Sequence, residues 1–325
     1  MKVFKDSWYL PHEKEIQELS RAIERLRQEK EAQPSFQVEM ALLEQKLEDL
    51  CTKVYGSLTP WDRVLISRHP GRPHAVDYIR EISPSFFELH GDRTYGDDRS
   101  MIGGLASIEG LPVVILGQEK GSSTEERIAC NFGMLSPEGF RKALRLMRLA
   151  EKMRIPVVSL LDTPGAYPGL EAEQRGQGWV IAENLQKMFS IATPIIVVII
   201  GEGCSGGALG MGIGDSIAIL EHAYYSVISP EGCASILWKD AAKKQEAAAA
   251  LKLNAEHMLA LHIVDDILKE PLGGAHYDPD YMYRSVKDHI LEKIIALKNK
   301  PKEILLAERY QKFRSIVSVA EVPVS

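Results

Sequence analysis

Two runs of apolar residues, each followed directly by a glycine-rich loop, constrain the fold of this chain most. IPVVSLLD (155–162) leads into TPGAYPG (163–169), and TPIIVVII (193–200) leads into GEGCSGGALGMGIGD (201–215). Continuous apolar runs rich in β-branched residues predict strands that are buried on both faces, as in parallel sheets covered by helices. The glycines that follow favour neither helix nor strand, since each costs about 1 kcal/mol relative to alanine inside a helix. We therefore expect an α/β fold whose strands end in loops of exposed backbone.

Further strands and helices alternate along the chain. The predicted strands are MIGGLASIEG, LPVVILG, SIAIL and IVDDIL. The predicted helices are SPEGFRKALRLMRLAEKM, with Ser136 as its N-cap, EAEQRGQGWVIAENLQKMFS, ASILWKDAAKKQEAAAALKLNAEHMLALH, DYMYRSVKDHILEKIIALKN and PKEILLAERYQKFRSI. In such a pattern, ligand groups are expected in the loops where a strand ends and a helix begins.

The N-terminal segment has a purely helical pattern. Its apolar residues recur at intervals of three and four, which predicts two antiparallel helices that join at Pro34 and bury one seam. The seam residues are Ile16, Leu19, Ile23, Leu26, Phe36, Met40, Leu43, Leu47, Leu50 and Val54. The chain is thus divided into a helical region at 1–58, a main domain at 59–300 and a helical tail at 301–325. The Pro-containing stretch GSLTPWDRVLISRHPGRPHAVDY leads into the main domain.

The composition excludes several classes of protein. Of the 325 residues, 45% are hydrophobic and 26% are charged, which is ordinary for a chain with a sizeable core. The net charge of -6 gives no bulk attraction to nucleic acid or to an anionic membrane. The longest apolar run is far shorter than the ~20 residues that span a bilayer, and the N-terminus lacks an apolar leader segment. We therefore expect a cytoplasmic protein that does not bind a membrane.

The cysteines and histidines give no sign of a metal site. The four cysteines, Cys51, Cys130, Cys204 and Cys233, lie far apart and form no C-x-x-C pair. This spacing indicates neither a zinc ribbon nor a disulfide framework. The histidines have no metal-ligand spacing. We expect no metal in this chain.

Two nucleotide-binding motifs occur in the glycine loops, but their context argues against both. Residues 201–206 spell the G-x-G-x-x-G of dinucleotide-binding domains, yet the helix that they would open is rich in glycine and lasts little more than two turns. Residues 162–165 spell the D-x-x-G of GTPases, but the sequence contains no G-x-x-x-x-G-K-[ST] phosphate loop.

A third motif keeps one alternative function open. Residues 203–207 spell G-x-S-x-G, the nucleophile turn of serine hydrolases, with Ser205 as the nucleophile. Two acid and histidine pairs follow in the required order, Asp265 with His276 and Asp240 with His257. A serine among small residues is more often selected for its size. The alternative to the main hypothesis below is therefore a serine hydrolase that uses Ser205.

The adjacent glycines Gly206 and Gly207 stand where a helix is predicted to begin. The first N–H groups of a helix have no acceptor within it, and without side chains these two are accessible to a ligand. Two donors directed at one point form an oxyanion hole, in which each is worth ~3 kcal/mol in the transition state. We therefore predict that Gly206 and Gly207 are the catalytic residues.

Five motifs together identify a family. DTPGAYPG, GEGCSGGALGMGIGD, YSVISPEGCASILW, NFGMLSPEGFRKALRLM and EPLGGAH occur in this order. The chain resembles the alpha subunits of the carboxyltransferase component of acetyl-CoA carboxylase, of the bacterial or plastid type, to about residue 320. The resemblance implies a crotonase-like (ClpP/crotonase) fold of ββα units, here with the N-terminal helical hairpin.

The resemblance also implies an activity and partners. A beta subunit of the same fold, which carries the zinc ribbon absent here, completes an α2β2 carboxyltransferase. This assembly transfers the carboxyl group from carboxybiotin, on the biotin carboxyl carrier protein, to acetyl-CoA and forms malonyl-CoA for fatty acid biosynthesis. ATP is used by the separate biotin carboxylase. The active site is expected at the interface of the alpha and beta subunits.

The resemblance assigns roles to the residues singled out above. The N–H groups of Gly206 and Gly207 would stabilise the biotin enolate that forms when CO₂ leaves, and this anion can itself take the proton from the acetyl methyl group. No side-chain base is then required. Gly165, Ala166 and Tyr167 would shape the biotin channel, unless they form only a tight turn.

Two further groups of residues are candidates for substrate binding. Ser229 and Glu231 flank Pro230 at a predicted helix start, where capping alone would also explain them. The basic residues Arg141, Arg145, Arg148 and Lys152 share one helix face, which could meet CoA phosphates or an acidic partner, although a solvated face is more common.

The chain departs from the family in two places. GQEKGSSTEE at 117–126 replaces the usual G-H-Q-K-G-R, so basic residues that would help to hold CoA phosphate are missing. Cys204 stands where glycine is common, which leaves the Gly206 and Gly207 pair intact.

Overall fold

The computed structural model describes residues 9–30 and 36–316. The strands in these ranges are β1 (Phe87–Glu88), β2 (Met101–Ile108), β3 (Leu111–Gln118), β4 (Val157–Thr163), β5 (Ile195–Cys204), β6 (Ser216–Leu220), β7 (Tyr224–Ser226) and β8 (Asp266–Leu268). The helices are α1 (Lys14–Lys30), α2 (Phe36–Tyr55), α3 (Pro60–Ser67), α4 (Ala75–Ile82), α5 (Thr124–Ala129), α6 (Pro137–Met153), α7 (Leu170–Gln174), α8 (Gln177–Met188), α9 (Ser205–Leu209), α10 (Pro230–Trp238), α11 (Lys244–Leu251), α12 (Ala255–Ala260), α13 (Pro279–Leu297) and α14 (Lys302–Ser315). Short 3₁₀ turns lie at Pro11–Glu13, Asn131–Gly133 and Ala241–Lys243.

The described strands form one mixed sheet in the order β1-β2-β3-β4-β5-β6-β8, and β7 pairs with β5. The pairings from β1 to β3 are antiparallel, and those from β3 through to β8 are parallel. Residues 196–199 of β5 pair with 216–219 of β6, whereas 202–204 pair with 224–226 of β7. The carboxyl end of β5 therefore pairs with β7 and no longer with β6. The glycine segment begins at this change of partner.

The two apolar runs are the buried centre of the sheet, as predicted. Every residue of β4 and of β5 is buried. Helices cover both faces, because the side chain of Leu146 in α6 packs on Gly103, and Ala75 in α4 packs on Gly117. Gly103 and Gly117 are offset by one residue in the β2–β3 register, so they face opposite sides of the sheet. This arrangement confirms the α/β prediction and buries strands on both faces.

The N-terminal helices bury the predicted seam. Ile16, Ile23, Met40 and Leu47 are buried, and Leu19, Leu26, Leu43, Leu50 and Val54 pack beside them. Their spacing of three and four places them on one side of α1 and α2. Pro34, the predicted junction, and the side chain of Phe36 lie outside the described residues. The described part of the hairpin is therefore as predicted.

A buried arginine links the C-terminal helix α14 to the main sheet. Arg309 is fully buried and donates hydrogen bonds to the carboxylate of Asp215 at 2.8 and 2.6 Å. It also donates to the carbonyl oxygens of Met188, Ile191 and Thr193 at 2.6 to 2.9 Å. Asp215 ends the glycine segment, and its Oδ2 accepts from the backbone N–H of Ile195 at 2.8 Å. Arg309 in α14 thus bonds both Asp215, which follows the central strand β5, and three carbonyl groups in the segment that precedes β5.

The structure differs from the sequence prediction where predicted helices are interrupted by residues with positive φ. The helix predicted through 234–262 is broken into α10, α11 and α12, because Lys239 and Lys252 adopt left-handed conformations at φ 54° and 49°. The helix predicted from 171 to 190 breaks at Gly176, where φ is 83°. Helices α3 and α4 lie in the stretch expected to be a connection.

No helix in the described ranges is long and apolar enough to cross a membrane.

Candidate active site

A chain of buried charges crosses the carboxyl ends of β3, β4 and β5. Lys120, two residues after β3, contacts Asp162 at the end of β4 at 2.6 Å and Glu202 in β5 at 2.7 Å. Asp162 Oδ1 also accepts the backbone N–H of Glu202 at 2.8 Å. Charged side chains at this depth require partners, and here each partner comes from the neighbouring strand. The network therefore fixes the three strand ends relative to one another.

Arg68 extends this network to two other elements. It follows α3, and its Nε donates to Glu202 Oε2 at 2.7 Å, while its terminal nitrogen donates to Glu231 in α10 at 2.6 Å. The hydroxyl of Tyr224 in β7 donates to the same Glu202 oxygen at 2.6 Å. Glu202 thus accepts hydrogen bonds from three side chains, Arg68, Lys120 and Tyr224.

The electrostatics of the network keep it charged. Burial would raise the pKa of the Glu202 carboxyl, but Lys120 and Arg68 outweigh burial and hold this pKa at about 2. Burial would likewise lower the pKa of the Lys120 amine, whereas Asp162 and Glu202 raise it. Burial and the nearby Glu202 raise the pKa of the Cys204 thiol to about 12, so Cys204 is not a nucleophile at neutral pH.

Acid is expected to unfold the protein partly through Glu202. Its pKa falls from 4.5 in the unfolded chain to about 2 in the folded one, so its contribution is complete above pH 4.5. It is lost as the pH falls from 4.5 to about 2, and amounts to about 3 kcal/mol. The free energy of unfolding of Glu202→Gln, measured by denaturant titration over this range, should depend less on pH than that of the parent. Glu303→Gln, at an exposed site, is the control. Identical pH curves for Glu202→Gln and the parent would contradict this assignment.

A cavity of about 230 Å³ lies beside the network. Its lining includes Lys120, Asp162, Pro164 and Glu202 from the strand ends, and Phe132 from the turn at Asn131–Gly133. Asn131, Phe132 and Gly133 all have positive φ, which is costly for the first two residues. The strand ends predicted from the sequence to hold ligand groups therefore do border a cavity.

Gly207 packs directly against the other predicted loop. A Cβ atom at Gly207 would lie 2.4 Å from the carbonyl carbon of Gly165 and 2.7 Å from the nitrogen of Ala166. The hydroxyl of Thr163 donates to the carbonyl of Gly165 at 2.7 Å and accepts its N–H at 3.1 Å, which fixes this turn. The structure thus brings together Gly207 and the Gly165–Ala166 loop, two predicted site segments that are 42 positions apart in sequence.

Few atoms lie beside the backbone at Gly206 in α9 and at Gly165 in the neighbouring loop. Gly206 is half-buried, and a Cβ there would meet only the side chain of Ile181 at 3.3 Å. A Cβ at Gly165 would meet nothing within 4 Å, and Gly165 has φ of +151°. The absence of side chains and the space beside Gly165 and Gly206 leave room for a planar group such as a ureido ring.

The remaining predicted residues lie around this edge. Tyr167 is half-buried and donates its backbone N–H to the carbonyl of Leu135 at 3.0 Å. Ser229 Oγ accepts the N–H of Gly232 at 3.1 Å and caps α10. Glu231 faces Arg68, as described above. Ser229 and Glu231 thus have structural contacts, and Glu231 is joined through Arg68 to the strand-end network.

The serine hydrolase pairs do not form a triad. Asp265 Oδ2 accepts the N–H of Ile217 at 2.7 Å, and the ring of His276 stacks on that of His69 with 3.8 Å between centroids. Asp240 caps the turn at Ala242. Burial, His69 and Arg72 lower the pKa of His276 to about 3. Ser205 has φ of 56°, the conformation of a nucleophile turn, but these acids and His276 are occupied elsewhere.

The basic face of α6 is not a solvated stripe. Arg141 pairs with Asp92 and Glu138 at 2.7 Å, and Arg145 donates to the carbonyl oxygens of Gly91 and Leu89 at 3.1 and 3.0 Å. These arginines hold the loop before β2. Arg148 is half exposed and lies 3.5 Å from Glu183. The expectation of a solvated face is therefore wrong for Arg141 and Arg145.

The residues described contain no group of three or more His, Cys, Asp or Glu side chains placed to hold a metal ion. Cys51, Cys130, Cys204 and Cys233 all fall within these ranges and are free, buried thiols.

Comparison with known proteins decides the family. A family model described as acetyl co-enzyme A carboxylase carboxyltransferase-like matches residues 9–317. The chain belongs to this family. The acetyl-coenzyme A carboxylase carboxyl transferase subunit alpha of Protochlamydia amoebophila is 63% identical over 94% of this chain and 97% of its own length. The protein of the same name from Chlamydia pneumoniae is 54% identical over 94% and 95%.

Solved structures support the fold of the family. A transcarboxylase 12S structure with methylmalonyl-coenzyme A bound superposes with a TM-score of 0.58 at 20% identity, over 72% of this chain and 44% of that one. This likeness concerns the fold alone, which is crotonase-like as predicted. The family assignment and the carboxyltransferase class are likewise confirmed.

Sequence reasoning missed Arg68, Gln118 and Lys120. A signal was present for Lys120, because a lysine directly after a buried strand, with acids at the ends of the next two strands, requires pairing. Gln118 and Arg68 gave no signal, since their partners lie 89 and 134 positions away.

Proposed function

We propose that this chain, with a partner beta subunit, transfers the carboxyl group of carboxybiotin to acetyl-CoA and forms malonyl-CoA for fatty acid biosynthesis. The observation that carries the proposal is the meeting of Gly207 with the Gly165–Ala166 loop at the strand ends, in a chain of the carboxyltransferase family. The alternative, a serine hydrolase, is not favoured, because Asp265, Asp240 and His276 have other contacts.

The catalytic groups of this chain are backbone donors. Bound biotin supplies the carboxyl group and an ureido oxygen on which negative charge develops. We assign the N–H groups of Gly206 and Gly207 to stabilise that charge, since the first amides of a helix lack internal acceptors. Gly165, Ala166 and Tyr167 border the biotin channel. Lys120 is neutralised by Asp162 and Glu202, so we assign it to positioning and not to proton transfer.

We place the partner over the strand-end edge. Exposed apolar side chains lie on the elements that follow these strands. Val227 before α10 and Ile236 and Leu237 within α10 are 67 to 77% exposed, as are Leu170 at the start of α7 and Trp179 in α8. Large apolar residues left in water favour coverage by another protein. We propose the beta subunit as that partner, in an α2β2 assembly, with the zinc ribbon in beta and biotin on the carrier protein. ATP acts at the biotin carboxylase, and the assembly is cytoplasmic.

The test is reconstitution. The chain is mixed with a beta-type zinc-ribbon carboxyltransferase chain, and formation of acetyl-CoA from malonyl-CoA is followed with and without biocytin. Activity that needs both chains and biocytin is expected. A mixture that forms a stable complex but shows no biocytin-dependent activity would contradict the proposal.

Ser205→Ala separates the two candidate functions. Alanine keeps the backbone amides and tolerates φ of 56° about as well as serine, so the reconstituted activity should stay within about two-fold of the parent. A loss on the order of 10³ or more, as expected for a missing nucleophile, would contradict the assignment of catalysis to backbone donors alone. Labelling of the isolated parent chain by a serine-directed fluorophosphonate would point the same way.

A further inference from the structure

The glycine segment that contains α9 is held by buried side chains from the surrounding elements. Gln118 at the end of β3 donates to the carbonyl oxygen of Gly207 at 2.7 Å. Asn184 in α8 donates to the carbonyl of Gly210 at 3.0 Å, and Ser159 in β4 donates to that of Met211 at 3.0 Å. All three side chains are at most 1% exposed. These bonds satisfy carbonyl groups at the end of a helix, which have no partner within it.

A five-residue helix with two glycines cannot fix its own orientation. An isolated turn of helix is unstable in water, and each glycine adds backbone freedom. The direction of the Gly206 and Gly207 N–H groups is therefore set by what surrounds α9. Among the three side chains, Gln118 acts closest to them, because it bonds the carbonyl of Gly207, one peptide group after the Gly207 N–H.

Gln118 joins both halves of the candidate site. Its Oε1 accepts the backbone N–H of Asp162 at 3.1 Å, while its Nε2 donates to Gly207. Asp162 immediately precedes the turn that ends in Gly165. One fully buried amide, fixed at both ends, thus sets the distance between the β4 loop and the start of α9. A hydrophobic residue of the same size would fill the space but would make neither bond.

We propose that Gln118 is a positioning residue for the Gly206 and Gly207 donors. This inference rests on the proposed function, because it assigns turnover to those donors. Gln118 is fully buried and acts through the backbone. By bonding the carbonyl of Gly207, it fixes the peptide group that directly follows the Gly207 N–H and so constrains the orientation of that donor. Small errors in such placement reduce turnover strongly.

The test compares Gln118→Met with Thr193→Val in the reconstituted two-chain enzyme. Thr193 is also buried and donates to a carbonyl, that of Ile155 at 2.7 Å, but not to α9. Malonyl-CoA decarboxylation with biocytin gives kcat and KM. Hydrogen–deuterium exchange is measured on the peptide that spans residues 205–210. Gln118→His is a conservative variant whose imidazole N–H can reach the same carbonyl.

We expect Gln118→Met to lower kcat by about ten-fold or more, with KM for malonyl-CoA within about two-fold, and to speed exchange in 205–210. Thr193→Val should change neither, and Gln118→His should recover most of kcat. Unchanged exchange or unchanged kcat in Gln118→Met would overturn the inference on Gln118 alone. An inactive parent complex would overturn the proposed function, and the inference with it.

Discussion

Replacing Gly207 by alanine is expected to reduce carboxyl transfer by about a hundredfold or more. The new Cβ would lie 2.4 Å from the carbonyl carbon and 2.6 Å from the oxygen of Gly165, both backbone atoms that cannot turn aside. The start of α9 and the Gly165–Ala166 loop must then separate, which would move the N–H groups proposed as donors away from the position proposed for the ureido oxygen. The measurement is kcat for malonyl-CoA decarboxylation by the reconstituted enzyme, with the fold checked by circular dichroism.

Gly206→Ala is the matched control for this prediction. A Cβ at Gly206 would meet only the end of the flexible Ile181 side chain at 3.3 Å, and alanine is the better helix former. The N–H donor is kept, so we expect kcat within about ten-fold of the parent. Equal losses in both variants would show that the packing of Gly207 on Gly165 is not what fixes the site.

Replacing Arg309 by methionine is expected to have the largest effect on stability, about 3–5 kcal/mol. Methionine can fill the space, but Asp215 would keep a buried charge without its cation, and the carbonyl groups of Met188, Ile191 and Thr193 would lose their donors. The free energy of unfolding is measured by denaturant titration at pH 7.

Arg314→Met in the same helix is the control, because Arg314 is exposed. Its effect should be within about 0.5 kcal/mol. If Arg309→Met were no less stable than Arg314→Met, α14 would not be fixed to the sheet through this ion pair.

The parts of the fold that depend on local pattern could be predicted from the sequence. The central strands β3 to β6 and the helices α1, α2, α6, α13 and α14 follow from apolar runs and from spacing of three and four. The breaks in 234–262 could not be predicted, because Lys239 and Lys252 have no intrinsic preference for the left-handed conformation and are placed there by tertiary packing. Strand β7 is only three residues long, and it pairs with the carboxyl end of β5, beyond the part of β5 that pairs with β6.

The part of the candidate site that the sequence marked most clearly is its glycines. Gly206, Gly207 and Gly165 are marked by their position after buried strands, and the structure brings Gly207 and Gly165 together. The side chains that hold them are invisible to local patterns, since Gln118 reaches Gly207 across two strands and Arg68 reaches Glu202 across the sheet edge. Such contacts depend on the order of strands, which single-sequence periodicity does not give.

The most direct test of the central claim is a crystal structure of this chain in complex with its beta partner and biocytin. We predict that the ureido oxygen of biocytin lies 2.7–3.1 Å from the backbone nitrogens of Gly206 and Gly207, the distances of an oxyanion hole. A biocytin ring bound in the complex with its ureido oxygen directed away from both nitrogens would contradict the account.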